Sequence, residues 1–242
     1  MPAPASGNQQ NLLEPANVWC IDPDSLSAAD LRQRWLGRLA PDERAAYARF
    51  KMPKLRHVYL ASRALCRAAL SRQTGVDPQN WKFTKNRHGK PRIAEPVRFR
   101  SLKFNITHTD GLIACVVFNA GEVGIDLENV LRNVEIDAVS RLVFSKVERA
   151  ALAKKAPNKR YSQFLKMWVL KEAYLKGLGS GMWREPTGVT IKFNSRGHPR
   201  PLGPWQFSLH RPTKNHVAAV AIRARLKSRL LKIRWRHADD LI

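Results

Sequence analysis

The sequence predicts an α+β protein built from two similar α+β halves related by a pseudo-twofold, with a functional cleft between them. Three observations carry this expectation. Segments of good helix formers are followed by short apolar runs bounded by Gly, Pro and Asn, and this succession occurs twice along the 242 residues. A Gly-x-Pro-Arg turn also occurs twice, as Gly89-Lys90-Pro91-Arg92 and Gly197-His198-Pro199-Arg200, at an offset of 108 positions. The same offset lays the helical stretch 59–70 on 167–178. The halves are expected at 17–119 and 120–242, behind a flexible N-terminus over 1–16, with a basic extension closing the second half.

AADLRQRWLGRL (28–39) and PDERAAYARF (41–50) read as helices, the second opening with Pro and two acids as a helix N-terminus favours. HVYLASRALCRAAL (57–70) continues as helix until TGVDP breaks it. WKFTKNRHGKPRI (81–93) reads as strand, turn, strand. SLKFNITH (101–108), LIACVVF (112–118) and EVGIDLE (122–128) are strands, the last two expected to form a hairpin through the turn NAGE. Helices follow over 134–143, 146–155 and 159–178, then the GLGSG loop, then strands VTIKF (189–193), WQFSLH (205–210) and VAAVAIRARL (217–226).

With 44% apolar residues the chain can bury a real core. Its 43 Lys and Arg against 19 Asp and Glu, a net charge of +24, call for an anionic partner: nucleic acid, a lipid surface, a phosphorylated small molecule or an acidic protein. Cys20, Cys66 and Cys115 lie far apart, without zinc-site spacing or an even disulfide count, and read as buried thiols of a reducing compartment. The N-terminus lacks the charge and apolar run of a signal peptide, and LIACVVF is too short to span a bilayer. The expected location is the cytoplasm.

In so basic a chain, the acids of GIDLE (124–128) stand out. On a strand, Asp126 and Glu128 point to one face while Ile125 and Leu127 point to the other. Two such carboxylates either share a hard divalent cation or form a solvated acidic face at a strand end. On the later helix, Tyr161, Phe164, Leu165, Trp168 and Leu175 recur at helical spacing, and Glu172 falls on their stripe. A core-facing carboxylate needs a cation. Either Lys176 supplies it one turn on, or Glu172 is the third ligand of an ion held by Asp126 and Glu128. In FNITHT (104–109), His108 and the Thr107 hydroxyl suit an anion. In FSKVE (144–148), Ser145 and Glu148 read as a capping box.

GIDLE (124–128), FSKVE (144–148) and WVLKEAYLK (168–176), preceded by GKP (89–91) and FNITHT (104–109), together resemble the 4′-phosphopantetheinyl transferases of the surfactin-synthetase-activating type, over roughly residues 40–195. The resemblance implies transfer of the phosphopantetheine arm of coenzyme A to a serine of an acyl or peptidyl carrier protein, by a monomer with coenzyme A in the cleft between its halves. It implies that Asp126, Glu128 and Glu172 bind Mg²⁺. It also implies that Lys90 beside Pro91, and His108 with Thr107, grip the nucleotide phosphates, with Arg63 of SRAL (62–65) contributing. Lys176 is expected at the pyrophosphate, and Glu172 or a metal-bound water is expected to take the serine proton. Thr107 and Thr109 stand where the family commonly has serine, which keeps the hydroxyls. Carrier proteins of this kind are typically acidic, so the basic surplus suits their encounter.

A nucleic-acid binder is the competing expectation. It draws on seven Lys or Arg between 223 and 236 with Ile222, Leu226, Leu231, Ile233 and Trp235 interleaved, a pattern that equally describes an amphipathic terminal strand. No nucleic-acid motif occurs elsewhere, and a groove binder has no use for Glu172 on a core stripe.

Overall fold

The computed structural model describes residues 15–179, 185–224, 232–238 and 241–242. The first half runs β1 (Ala16–Ile21), α1 (Ala28–Trp35), α2 (Pro41–Arg49), α3 (Pro53–Thr74), β2 (Lys82–Lys85), β3 (Pro91–Glu95), β4 (Lys103–Thr109) and β5 (Leu112–Phe118). The second runs β6 (Gly121–Asn129), α4 (Ile136–Val143), α5 (Lys146–Ala153), α6 (Pro157–Leu178), β7 (Gln206–His210) and β8 (His216–Ala224), and β9 (Ile233–His237) follows. One sheet has the order β4-β5-β1-β9 and the other β6-β8-β7, while β2 and β3 form a separate ribbon.

The sheets pack face to face. Val18, Cys20, Ala114 and Val116 of the first meet Val123, Ile125, Val220 and Ile222 of the second in one apolar layer. The opposite face of the first sheet packs under α3 through Trp19, Ile21, Leu65 and Ala69. That of the second packs under α6 through Ala219, Ala221, Val169 and Ala173. The central strands β5 and β8 therefore have both faces buried, which is why they read as nearly continuous apolar runs.

The two long helices are matched: each is 22 residues long, opens with Pro at its first position and ends on a left-handed glycine, Gly75 (φ +74) or Gly179 (φ +70). The helices therefore correspond at an offset of 104, not the 108 expected from sliding the sequence. The turns keep 108. In each, the Asn amide donates to a carbonyl four residues on, Asn86 N to Lys90 O at 3.0 Å and Asn194 N to His198 O at 2.9 Å. The four-residue difference falls between helix and turn.

Three other expectations are corrected. β5 and β6 do not form a hairpin, because both edges of β5 are taken, by β4 and β1, and β6 opens the second sheet against β8. VTIKF does not form a strand; Phe193 and Pro199 make an isolated bridge. Its backbone is already engaged by side chains, Val189 O accepting from Lys171 Nζ at 2.8 Å and Ile191 N donating to Glu148 Oε1 at 2.9 Å. Third, residues 233–237 do not extend the second half. They lie parallel to β1 in the first sheet, with Arg34 Nη1 donating to Ile242 O at 2.6 Å. Residues 1–14 of the expected flexible N-terminus, the end of the GLGSG loop and residues 225–231 of the basic stretch lie outside the described residues. The three cysteines are free and buried. Among the described residues no helix is long and apolar enough to cross a membrane.

Candidate active site

The site begins with two glycines. A Cβ at Gly124 of β6 would sit 2.1 Å from Ala173 O and 2.3 Å from Gly177 N of α6, so strand and helix approach more closely there than any side chain permits. This contact brings the α6-facing residues of β6, Asp126 and Glu128, beside Glu172 and Lys176. Ile125 and Leu127 point the other way, into the layer between the sheets, as strand alternation requires. Across the junction, Asn105 Oδ1 accepts from Ile125 N at 2.9 Å and so holds β4 against β6 although the two strands belong to different sheets.

Asp126 is buried. Its Oδ1 accepts from Lys176 Nζ at 2.5 Å and from Thr107 Oγ1 at 3.4 Å, while Thr107 Oγ1 accepts from Lys176 Nζ at 3.1 Å. Its Oδ2 is buried without a hydrogen-bond partner. Burial pushes the Asp126 carboxyl up to about 6; Lys176 opposes the shift, and the charges of Glu172 and Glu128 add to it. Glu128 accepts from Trp168 Nε1 at 3.0 Å and from Arg132 Nη1 at 3.1 and 3.2 Å. The Glu172 carboxyl is also raised, first by burial and further by Glu128, against Lys176.

The three acids therefore feel one another's charge, and Asp126 presents an orphaned oxygen among oxygen donors that suit a hard cation. Among the described residues, no three His, Cys, Asp or Glu side chains are grouped as a ready metal cage. The positive charge at Asp126 is that of Lys176, and at Glu128 that of Arg132. The contact expected between Glu172 and Lys176 exists as an electrostatic one, with Lys176 Nζ hydrogen-bonded to Asp126 and Thr107 instead.

His108 follows Thr107 at the exposed end of β4. Burial of its ring lowers its pKa, and the nearby charges of Lys176 and Arg63 lower it further, so three nitrogen bases from β4, α6 and α3 share one neighbourhood. Arg63 and Pro91 also line a pocket of about 530 Å³ with Glu43, Tyr59, Lys85 and Ile106. There the Arg63 guanidinium lies 5.5 Å over the Tyr59 ring, and Nη1 is 3.9 Å from Glu43 Oε1.

Lys90 is turned away from this group, contrary to the expected grip on nucleotide phosphates. Its Nζ donates to Gly177 O at 2.7 Å and Val123 O at 3.3 Å, with Glu122 at 3.6 Å. The carbonyls ending α6 carry the negative end of the helix dipole, and they draw the ammonium inward. Burial lowers it to about 8. With Asn86 Nδ2 donating to Gly179 O at 2.7 Å, Lys90 brackets the β2–β3 ribbon of the first half to the end of α6 in the second.

Sequence reasoning missed two fully buried cations. Lys171 pairs with Glu148 and donates to Val143 O, Pro186 O and Val189 O; Arg67 pairs with Glu43 and donates to Pro78 O and Trp81 O. Glu148 also closes the capping box on Ser145, as expected, and Glu43 bonds Ala40 N in the same way. A signal was available: Lys171 lies three and seven positions after Trp168 and Phe164, on the inward stripe.

Two family models match adjoining stretches: "4'-phosphopantetheinyl transferase, N-terminal" over residues 29–119 and "4'-phosphopantetheinyl transferase superfamily" over 122–221. The 4′-phosphopantetheinyl transferase HetI of Nostoc sp. is 28% identical over 90% of this chain and 92% of its own length. Sfp of Bacillus subtilis, another such transferase, is 28% identical over 74% of this chain and 78% of its own. The transferase gsp of Aneurinibacillus migulanus is 31% identical over 60% and 58%. Models of the two halves meet at the boundary between β5 and β6, and the relatives carry one activity in their names: the chain belongs to the 4′-phosphopantetheinyl transferase superfamily.

Proposed function

We propose that the chain carries out phosphopantetheinyl transfer at the junction of α3, β4, β6 and α6, taking the arm from coenzyme A and placing it on a serine of an acyl or peptidyl carrier protein, in the manner of the surfactin-synthetase-activating type. The observation that carries this reading is the meeting of Asp126, Lys176 and Thr107, with Asp126 Oδ2 left unpartnered, beside the His108 imidazole and the Arg63 guanidinium. Asp126, Glu128 and Glu172 would hold Mg²⁺, which supplies charge neutralisation for the diphosphate. The 530 Å³ pocket, with Arg63 and Pro91 in its wall, takes the nucleotide end.

In the transfer, the serine Oγ forms a bond to the phosphorus next to the pantetheine arm, and the bond from that phosphorus to adenosine 3′,5′-bisphosphate breaks. The serine proton passes to the Glu172 carboxylate, which burial holds above its ordinary range. Lys176, His108, Thr107 and Arg63 stabilise the charge that gathers on the leaving phosphate, so that positioning and electrostatics supply most of the catalysis.

The net charge of +24 favours an acidic carrier, which it attracts over a Debye length. We place the enzyme in the cytoplasm as a monomer, in keeping with three free thiols and two halves that supply one site between them. The test is incubation with coenzyme A, Mg²⁺ and a panel of apo carrier proteins, read by mass for the added arm. Absence of the added mass from every carrier overturns the reading.

A further inference from the structure

The second half holds its own pocket, of about 410 Å³, walled by the elements that correspond to those of the 530 Å³ pocket: α5 for α2, α6 for α3, and the segment leading into the 197 turn for the one leading into the 89 turn. The correspondence can be followed residue by residue. Glu43 and Glu148 are both the third residue of a capped short helix and both accept from a buried cation, so the short helices match at 105, and Ala151 stands where Ala46 stands. At the long-helix offset of 104, Met167 stands where Arg63 stands. At the turn offset of 108, Phe193 stands where Lys85 stands, and Ile191 where Phe83 stands.

The chemistry of the two pockets differs accordingly. The cations that line the first are replaced in the second by a thioether and a phenyl ring, and Met167 and Ile191 are buried. Glu148, the acid in this wall, is neutralised by Lys171 and accepts from Ser145 N and Ile191 N. The positive charge has moved outward, to the exposed lining residues Lys155 and Lys192. A nucleotide would leave phosphates against Met167 and Phe193 without partners, at a steep desolvation cost. A ligand with an apolar body and one anionic end meets both parts, in a space of the size usual for small molecules.

We propose that this pocket binds an alkyl carboxylate, with the chain against Met167, Ile191 and Phe193 and the carboxylate at the rim with Lys155 and Lys192. The proposal goes beyond the transfer reaction and does not depend on which carrier is served. The test is calorimetric titration of the full chain with decanoate and, separately, with decyltrimethylammonium, with and without saturating coenzyme A. Decanoate is expected to bind saturably at one site, with the cation failing to bind and coenzyme A leaving the affinity unchanged. The surface double variant Lys155→Glu, Lys192→Glu is expected to weaken decanoate binding about tenfold or more while transfer to a carrier protein proceeds at the parent rate. Failure of decanoate to saturate, its displacement by coenzyme A, or indifference to the charge reversal overturns the proposal.

Discussion

The two halves share a scaffold and differ in what it carries. In each, a short capped helix offers its third-position glutamate to a fully buried cation on the long helix, Glu43 to Arg67 and Glu148 to Lys171. In each, that cation also reaches carbonyls of the segment after the helix: Pro78 and Trp81 in one half, Pro186 and Val189 in the other. The helix-facing residues of the leading strand differ. β1 places Trp19 and Ile21 under α3, whereas β6 places Asp126 and Glu128 under α6. The architectural ion pair is kept twice, and the acids of the proposed site stand once. On the proposed function, structure and activity are separable residue by residue.

The sharpest test of that separation removes charge from one half only. Glu172→Gln and Asp126→Asn are expected to lower transfer by about 10²–10³-fold, the scale of losing one electrostatic contributor to a transition state, with melting temperature little changed. The readout is the mass of a carrier protein after timed incubation, and a parent rate in either variant defeats the assignment. The converse test breaks the shared pair. Arg67→Met and Lys171→Met each leave a buried glutamate without its cation, and each is expected to destabilise the fold by about 3–5 kcal/mol in urea titrations. A much smaller loss in one half would show that the two pairs are not equivalent.

Much of this was legible beforehand. Asp126, Glu128 and Glu172 stand out in the sequence because carboxylates on a strand face and on an apolar helical stripe conflict with their neighbours, and the fold brings the three within reach of one another's charge. The helices were read within a few residues. The pairing of β5 and β6 could not be read, because NAGE between two apolar runs suits a hairpin as well as a crossing between sheets, and only the claims of β1 and β4 on the edges of β5 decide it. Lys90 was misread for a related reason: GKP fixes a turn but not the direction of its side chain, which the carbonyls at the end of α6 set from 87 positions away. The basic tail was ambiguous as well, until β9 was seen beside β1.

That strand supplies the next test. Truncation before residue 232 removes β9 and exposes the β1 edge, so the product is expected to be insoluble or unstable rather than merely slower to meet carriers. Soluble protein with salt-dependent loss of carrier association would instead assign these residues to steering. The smallest expected effect concerns the bracket between the halves. The Lys90 ammonium has an ordinary pKa of 10.5 and one of about 8 when folded. Between these values the unfolded chain holds a proton that the folded chain has released, so the contribution of Lys90 to stability rises with pH across that window. The stability difference between the parent and Lys90→Met should therefore shift in favour of the parent from pH 8 to pH 10; a flat difference would refute the inward placement.

The parallel seat of β9 against β1 has a consequence for how the molecule is made. A ribosome delivers β1 first and β9 about two hundred residues later. The early half must wait with an open border while the later half is synthesised, and the final strand then seals it. Separate expression of the two halves should accordingly give fragments that recover function only when the later one brings β9 with it.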